Sequence, residues 1–330
     1  MNNRRLFSNP LMVIILLVLI IAFLFSGWKI IEILSHPADP QEESVTPTSK
    51  TIVKDGVEYF PRQDISVMML AGIDRTGPAE DSGSYNNTGN ADMIALVIFD
   101  ETNQTYQVLM LNRDTMVEMP ALGLGGKQTG TVVGQLALSH TYGSGLEDSC
   151  ENVRKTVSDL LNGISIDYYI SISMDAVSLL TDAVGGVSVT VKDDFSAVDP
   201  SIPMGTTTLN GSQALNFVQG RGAVGNQMNV SRMERHKEYM NGFLDALDQQ
   251  LEISDSFMLK TYDSLASYVV TDCSATTLNS LVNRYSKFTL QGITTLEGEN
   301  VQVDQYMEFH ADEDALEDLV LELFYSEKNI

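Results

Sequence analysis

"DISVMMLAGID" (64–74) is the stretch on which the fold turns, together with "ADMIALVIFD" (91–100) and "YQVLMLN" (106–112) close behind it. Each is a short apolar run rich in Val, Ile, Leu and Met and bounded by polar or turn residues, the pattern of a buried strand. The first ends in Gly72 and Asp74, and "RTGPAEDSGSYNNTGN" (75–90) follows as a polar loop. The second and third are separated only by a short polar turn around "ETNQT", so they are expected to pair as an antiparallel hairpin. Three strands then place Asp74, Asp92, Arg113 and Asp114 at strand termini. A common sheet edge of that kind is where α/β folds put ligand sites.

Outward from this core the pattern changes period. "EDSCENVRKTVSDLLNG" (147–163) carries Val153, Val157, Leu160 and Leu161 at helical spacing, followed by a glycine stop. "DYYISIS" (167–173) reads as a strand, "MDAVSLLTDAVGG" (174–186) as a helix, "VSVTV" (187–191) as a strand and "NGSQALNFVQ" (210–219) as a short helix. "SRMERHKEYMNGFLDALDQQL" (231–251) reads as a long helix with Ser231 as its N-cap, and further helices are expected near 254–268, 274–287 and 311–325. "ALGLGGKQTGTVVGQ" (121–135) is glycine-rich and reads as a mobile loop. The alternation predicts an α/β fold, an α-β-α sandwich with a central mixed sheet flanked by helices, forming one domain over 51–330.

The chain has 330 residues, 43% of them hydrophobic, enough for a substantial core. Forty-four carboxylates against twenty Lys and Arg give a formal charge of −24, which leaves no basic face for nucleic acid. The N-terminus reads as a cytoplasmic tip (1–9) with Arg4 and Arg5, then a membrane anchor helix (10–31), then a Pro-containing linker (32–50). Residues 11–28 are uncharged, and at ~1.5 Å per residue they nearly cross a bilayer core. A cleaved signal peptide is the rival reading, although no small-x-small cleavage site stands out. The anchor makes the protein a single-pass protein of the cell membrane with its domain outside. Cys150 and Cys273 are the two cysteines; they can pair there or stay as free thiols.

The chain's ten arginines are scarce, yet three of them fall in "RGAVGNQMNVSRMERHKEY" (221–239). Arg232, Arg235 and His236 share one helical face near a helix start, where the dipole favours an anion rather than a cation. A phosphate-type ligand resolves that tension; a solvated basic face balanced by Glu234 and Glu238 is the alternative. Asp74 and Asp92 can hold a hard divalent cation through oxygen, or be solvated turn residues. No Walker loop, Gly-x-Ser-x-Gly, His-Glu-x-x-His or Cys-x-x-Cys motif is present.

At these residues the chain resembles the LytR-CpsA-Psr family of cell-wall glycopolymer ligases. "MMLAGIDR", "NADMIALVIFD" and "LNRDTMVEMP" are similar to the family's Gly-x-Asp, Arg-Ser-Asp-Thr and Pro-Arg-Asp-Thr segments. "LNGSQALNFVQGR" and "SRMERHKEY" are similar to its Arg-x-Arg and Arg-x-x-Arg-Gln-Gln segments, and the block 134–191 follows it closely. The resemblance covers roughly 50–326. It implies transfer of a polyprenyl-diphosphate-linked glycopolymer, a teichoic acid or capsular polysaccharide, to peptidoglycan in a Gram-positive-type bacterium. Asp74 and Asp92 would hold Mg²⁺ (or Mn²⁺) or act as base, with Arg113 as the third catalytic residue. Arg113, Gln219, Arg221, Arg232, Arg235 and His236 would surround the diphosphate, and the lipid would lie in an apolar tunnel between sheet and helices. Asn90 and Gln219 stand where the family has arginine, and His236, in place of Gln, supplies a charge only when protonated. A non-catalytic binder of the same lipid, and a hydrolase of its diphosphate, are the alternatives. Arg113→Ala is expected to abolish turnover with little loss of stability.

Overall fold

The strand β4 (Ala91–Asp100) is apolar on both of its faces because both faces are covered, and the sheet is built around it. The computed structural model describes residues 50–87, 89–123, 126–220, 224–225, 229–304 and 306–327, the side chains of 229 and 230 excepted. Pro47–Ile330 packs as one unit; the other unit, Met1–Thr46, lies outside the described residues, and with it the tip, the anchor helix and most of the linker expected from the sequence. Among the described residues no helix is long and apolar enough to cross a membrane.

The elements run β1 (Ile52–Lys54), β2 (Val57–Pro61), β3 (Ile65–Ile73), β4, β5 (Thr105–Leu111), β6 (Met116–Leu122), β7 (Gln128–Gln135), a 3-10 turn (Leu136–His140), α1 (Glu147–Leu160), β8 (Tyr168–Ser173), α2 (Met174–Ala183), β9 (Val187–Val191), β10 (Gly205–Leu209), α3 (Gly211–Gln219), α4 (Asn229–Ile253), α5 (Phe257–Leu265), β11 (Val269–Thr271), α6 (Ala275–Tyr285), β12 (Thr289–Thr295), β13 (Gly298–Val303), β14 (Tyr306–Ala311), α7 (Glu313–Phe324) and β15 (Tyr325–Ser326). The central sheet has six strands in the order β11-β8-β3-β4-β5-β12. The β3–β4, β4–β5 and β11–β8 pairs are antiparallel, while β3–β8 and β12–β5 are parallel, so the sheet is mixed.

Alternation along the strands divides the core. Met69 and Ala71 of β3, Ile94 and Leu96 of β4 and Leu109 of β5 face one side and pack with Val153 and Val157 of α1 and Val320 of α7. Met68, Ala95, Val97, Val108 and Met110 face the other side, toward Met233 and Met240 of α4 and Tyr285 of α6. A third cluster, under Phe195 and Phe217, joins the β9–β10 hairpin to α3 and α4. There Gly242 lets α4 lie against β9, because a Cβ at that position would stand 2.1 Å from the Ser188 carbonyl oxygen.

Two expectations from the sequence need correction. Residues 121–135 are not a loop throughout: Gln128–Gln135 form β7, paired antiparallel with β6, because Thr129, Thr131, Val132 and Val133 favour extended backbone despite the glycines nearby. Ser231 is not the N-cap of the long helix, which begins at Asn229. Of the two readings left open for Cys150 and Cys273, the structure shows free thiols, both buried.

Candidate active site

Antiparallel register brings the chemistry to one sheet edge. Ile73 of β3 stands opposite Ala91 of β4, and Ile94 of β4 opposite Leu111 of β5. The end of β3, the start of β4 and the end of β5 are therefore neighbours, and Asp74, Asp92 and Arg113 follow from that. The Asp74 amide donates to the Asn90 carbonyl at 2.8 Å, closing the neck of the 75–90 loop. Under that loop Asn87 is buried; its amide nitrogen donates to the carbonyls of His140 and Gly143, each at 2.8 Å, and its Oδ1 accepts from the Gly89 amide at 2.7 Å. This polar knot fixes the chain between the two carboxylates.

Asp92, only 7% exposed, is held by two guanidiniums. Arg113 Nη1 donates to one carboxylate oxygen and Arg232 Nη1 to the other, the latter at 3.0 Å. Arg113 Nε also lies 3.4 Å from Asp114 Oδ1. Arg113 and Arg232, 119 positions apart in sequence, thus converge on one carboxylate. Such charge-assisted bonds satisfy groups that would be costly to bury unpaired.

A cavity of about 580 Å³ opens beside this edge. One wall is the sheet, with Leu70, Val97 and Ile170; the other is helical, with Phe243, Leu247 and Leu278. Its lining follows β4 from Asp92 to Phe99, roughly 24 Å at the ~3.4 Å rise of a strand. Asp74, Asp92, Gln219, Arg232 and His236 line one end, and Tyr106, Asp248 and Ser286 belong to the other. Arg113 stands behind Asp92 and is not part of the lining. Arg221 lies outside the described residues.

Arg235 is placed differently from the diphosphate role expected of it. It is 5% exposed, its Nε donates to the Phe217 carbonyl at 3.0 Å, and Nη2 donates to the Gly220 carbonyl. Its Nη1 pairs with Asp193 at 3.0 Å and its Cζ lies 5.8 Å from the Phe195 ring centroid. These contacts commit all three nitrogens to holding the end of α3 against α4.

His236 is half-buried, with Nε2 3.1 Å from the Val218 carbonyl, which can only accept, so Nε2 carries the proton of a neutral ring. Burial, followed by the positive charge of Arg232, pushes its pKa down to about 4. The ring is neutral at pH 7 and does not replace a lost guanidinium. His140 is likewise pushed down to about 4, chiefly by burial, its Nδ1 meeting the Gly89 carbonyl at 2.7 Å. Both values lie below the 6.5 of a solvated imidazole, so their stabilising contribution is complete above pH 6.5 and is lost as pH falls toward 4. Urea unfolding at pH 5.0 is expected to give about 2 kcal/mol less stability from His140 than at pH 7.0. His140→Asn should flatten that slope; an unchanged slope would remove His140 as its source.

Asp74 and Asp92 were tested as metal ligands on their chemistry. Among the described residues there is no group of three or more His, Cys, Asp or Glu suited to a metal ion. A pair of carboxylates fits Mg²⁺, which keeps several waters and takes substrate phosphate oxygens as ligands, better than an all-protein Zn²⁺ site. Asp74 is exposed and has no side-chain hydrogen-bond partner among the described residues, whereas both oxygens of Asp92 already accept from guanidiniums.

Sequence comparison matches the LytR_cpsA_psr family over residues 35–324. The chain is 26% identical over 299 residues to the polyisoprenyl-teichoic acid–peptidoglycan teichoic acid transferase TagV of Bacillus subtilis, covering 88% of this chain and 71% of that one. It is 29% identical over 230 residues to the transferase TagU of Enterococcus faecalis, covering 70% and 68%. The crystal structure of B. subtilis TagV superposes with a TM-score of 0.61 at 23% identity, over 79% of this chain and 96% of that one, so the fold is shared.

Proposed function

This chain belongs to the LytR_cpsA_psr family, and from that premise we propose that it moves a glycopolymer from a polyprenyl diphosphate carrier onto peptidoglycan. The relatives described above are teichoic acid transferases by name. The single observation that carries the reading here is the joining of two elements at one sheet edge: a cluster of Asp92, Arg113 and Arg232, and an apolar cavity lined at that end by Asp92 and Arg232. A lipid with an anionic head needs both.

In the proposed reaction a hydroxyl of the wall acceptor attacks the phosphorus bearing the polymer. A new phosphodiester forms, the bond to the carrier's phosphate breaks, and polyprenyl phosphate leaves with the electron pair. Such a step depends on charge neutralisation and positioning more than on covalent catalysis. Arg113 and Arg232 hold the charge at the cavity mouth. Asp92, with both oxygens committed, is the poorer base; Asp74 is better placed to accept the hydroxyl proton or to hold Mg²⁺. The described mouth carries two guanidiniums against the carboxylates of Asp74, Asp92 and Asp114, with His236 neutral and Gln219 uncharged, so one negative charge is in surplus. A diphosphate at such a mouth calls for a divalent cation; Asp74, with Asp92 beside it, would hold Mg²⁺, which would supply that charge. The N-terminal segment anchors the domain to the membrane as a single-pass protein. Teichoic acid and capsular polysaccharide remain the two polymer classes for the donor.

Gln219, in a position where the resemblance puts arginine, favours a second reading, a carrier that binds the lipid without turning it over. The test is the full chain in detergent with a short-chain polyprenyl-diphosphate sugar, Mg²⁺ and peptidoglycan fragments. Sugar on the fragment supports transfer, bound unchanged lipid supports the carrier, and free sugar phosphate supports hydrolysis. Asp74→Asn is expected to lower transfer at least ~10²-fold and to raise the Mg²⁺ concentration needed for half-maximal rate. Wild-type rate and Mg²⁺ dependence in that variant would take Asp74 out of the site.

A further inference from the structure

We propose that Gln135 is a positioning residue for Arg113, acting through Asp114; this rests on the transferase reading above. Gln135 ends β7, and its side-chain nitrogen donates to Asp114 Oδ1 at 3.1 Å and to the Met307 carbonyl at 2.6 Å. Both partners are oxygens that only accept, so the amide presents NH₂ to them and uses both of its hydrogens. The same Asp114 oxygen lies 3.4 Å from Arg113 Nε. Asp114 is buried, its amide donates to Asn112 Oδ1 at 3.0 Å, and its carbonyl accepts from the Phe309 amide at 2.8 Å. The carboxylate that lies beside Nε of the Arg113 guanidinium, in an ion-pair contact rather than a hydrogen bond, is thus itself held by Gln135.

The backbone after Gln135 reinforces the arrangement. The Leu136 amide donates to the Thr115 carbonyl at 2.8 Å and the Ala137 amide to the Arg113 carbonyl at 2.9 Å. One segment therefore fixes the Arg113 backbone and the partner of its side chain. A second consequence is that the β13–β14 ribbon, whose first strand is exposed along its whole length, is clipped to the catalytic edge at Met307 and Phe309. Without the NH₂ of Gln135, Asp114 keeps its place in the chain but loses one of the contacts that set the plane of its carboxylate. The planar fork of Arg113 is sensitive to that plane.

The test compares Gln135→Leu, which removes both donors, with Gln135→Lys, which restores donation. Two readings are taken: steady-state transfer, and the ¹⁵N–¹H signal of the Arg113 Nε–H, assigned by its loss in Arg113→Lys. In Gln135→Leu the Arg113 signal should shift or broaden while that of Arg154, on α1, stays in place. Turnover should fall ~10- to 30-fold with KM for the lipid substrate within twofold, because a misdirected guanidinium is missed most in the transition state. Gln135→Lys should recover most of both. A folded Gln135→Leu protein with an unmoved Arg113 signal, or with wild-type kcat, overturns the proposal. If wild-type protein binds the lipid but does not transfer the polymer, the transferase reading fails while the Arg113 signal still decides whether Gln135 sets that side chain.

Discussion

Arg113→Ala should lose about three orders of magnitude in transfer rate. A unit charge at ~4 Å in a partly screened site contributes about 4 kcal/mol, and ~1.4 kcal/mol is tenfold in rate. Arg113 is one of two guanidiniums on Asp92, and the other, Arg232, cannot occupy both carboxylate oxygens in the same geometry. The sequence alone led to an expectation of little change in stability; the structure alters that. With Arg113 removed, Asp92 retains Arg232 and buried Asp114 loses its nearest guanidinium. A cost of about 1–3 kcal/mol follows from the under-compensated buried charge. Thermal melts beside transfer assays separate the two effects. A fully active variant would place the chemistry elsewhere.

Arg235→Ala has the opposite signature, although the two residues are of the same type and were grouped by spacing. Its guanidinium bridges the Phe217 and Gly220 carbonyls and Asp193. Deleting it leaves the partly exposed Asp193 without its guanidinium and strands two backbone acceptors, and at ~1–3 kcal/mol for each stranded acceptor the cost is about 3–5 kcal/mol. The melting temperature should fall on the order of 10 °C. At a temperature where the variant is folded, transfer should drop far less than in Arg113→Ala. Arg235→Lys should not restore stability, because one ammonium cannot reach three acceptors laid out for a planar fork. Normal melting with lost transfer would return Arg235 to the diphosphate.

Four strands of the central sheet, β3, β4, β5 and β8, were legible because they carry almost uninterrupted apolar runs. The β13–β14 ribbon was not: every residue of β13 is exposed, so hydrophobic period had nothing to report. The edge strands β11, three residues long, and β12, broken by Gly292, were missed as well, as was β7, where glycines hid the threonines and valines. At the site, Asp74, Asp92 and Arg113 could be brought together from strand ends alone. The separate use made of Arg235 could not. Spacing of three and four residues specifies a helix face but does not reveal which carbonyls from α3 meet it. Asn87 and Gln135 were missed for a related reason: their partners lie far along the chain, Met307 being 172 residues from Gln135. Neither residue belongs to any motif.

The central sheet treats its two sides unequally. Toward α1 and α7 it is packed with the protein's own side chains; toward α4, α5 and α6 it also walls a cavity of about 580 Å³. That wall exists only in the folded chain, so an apolar guest seated there has nothing comparable to bind after unfolding. By linkage, each increment of guest affinity adds to the free energy of unfolding, growing with the logarithm of guest concentration. With the lipid donor proposed above as that guest, turnover rate and resistance to denaturation would draw on the same pool.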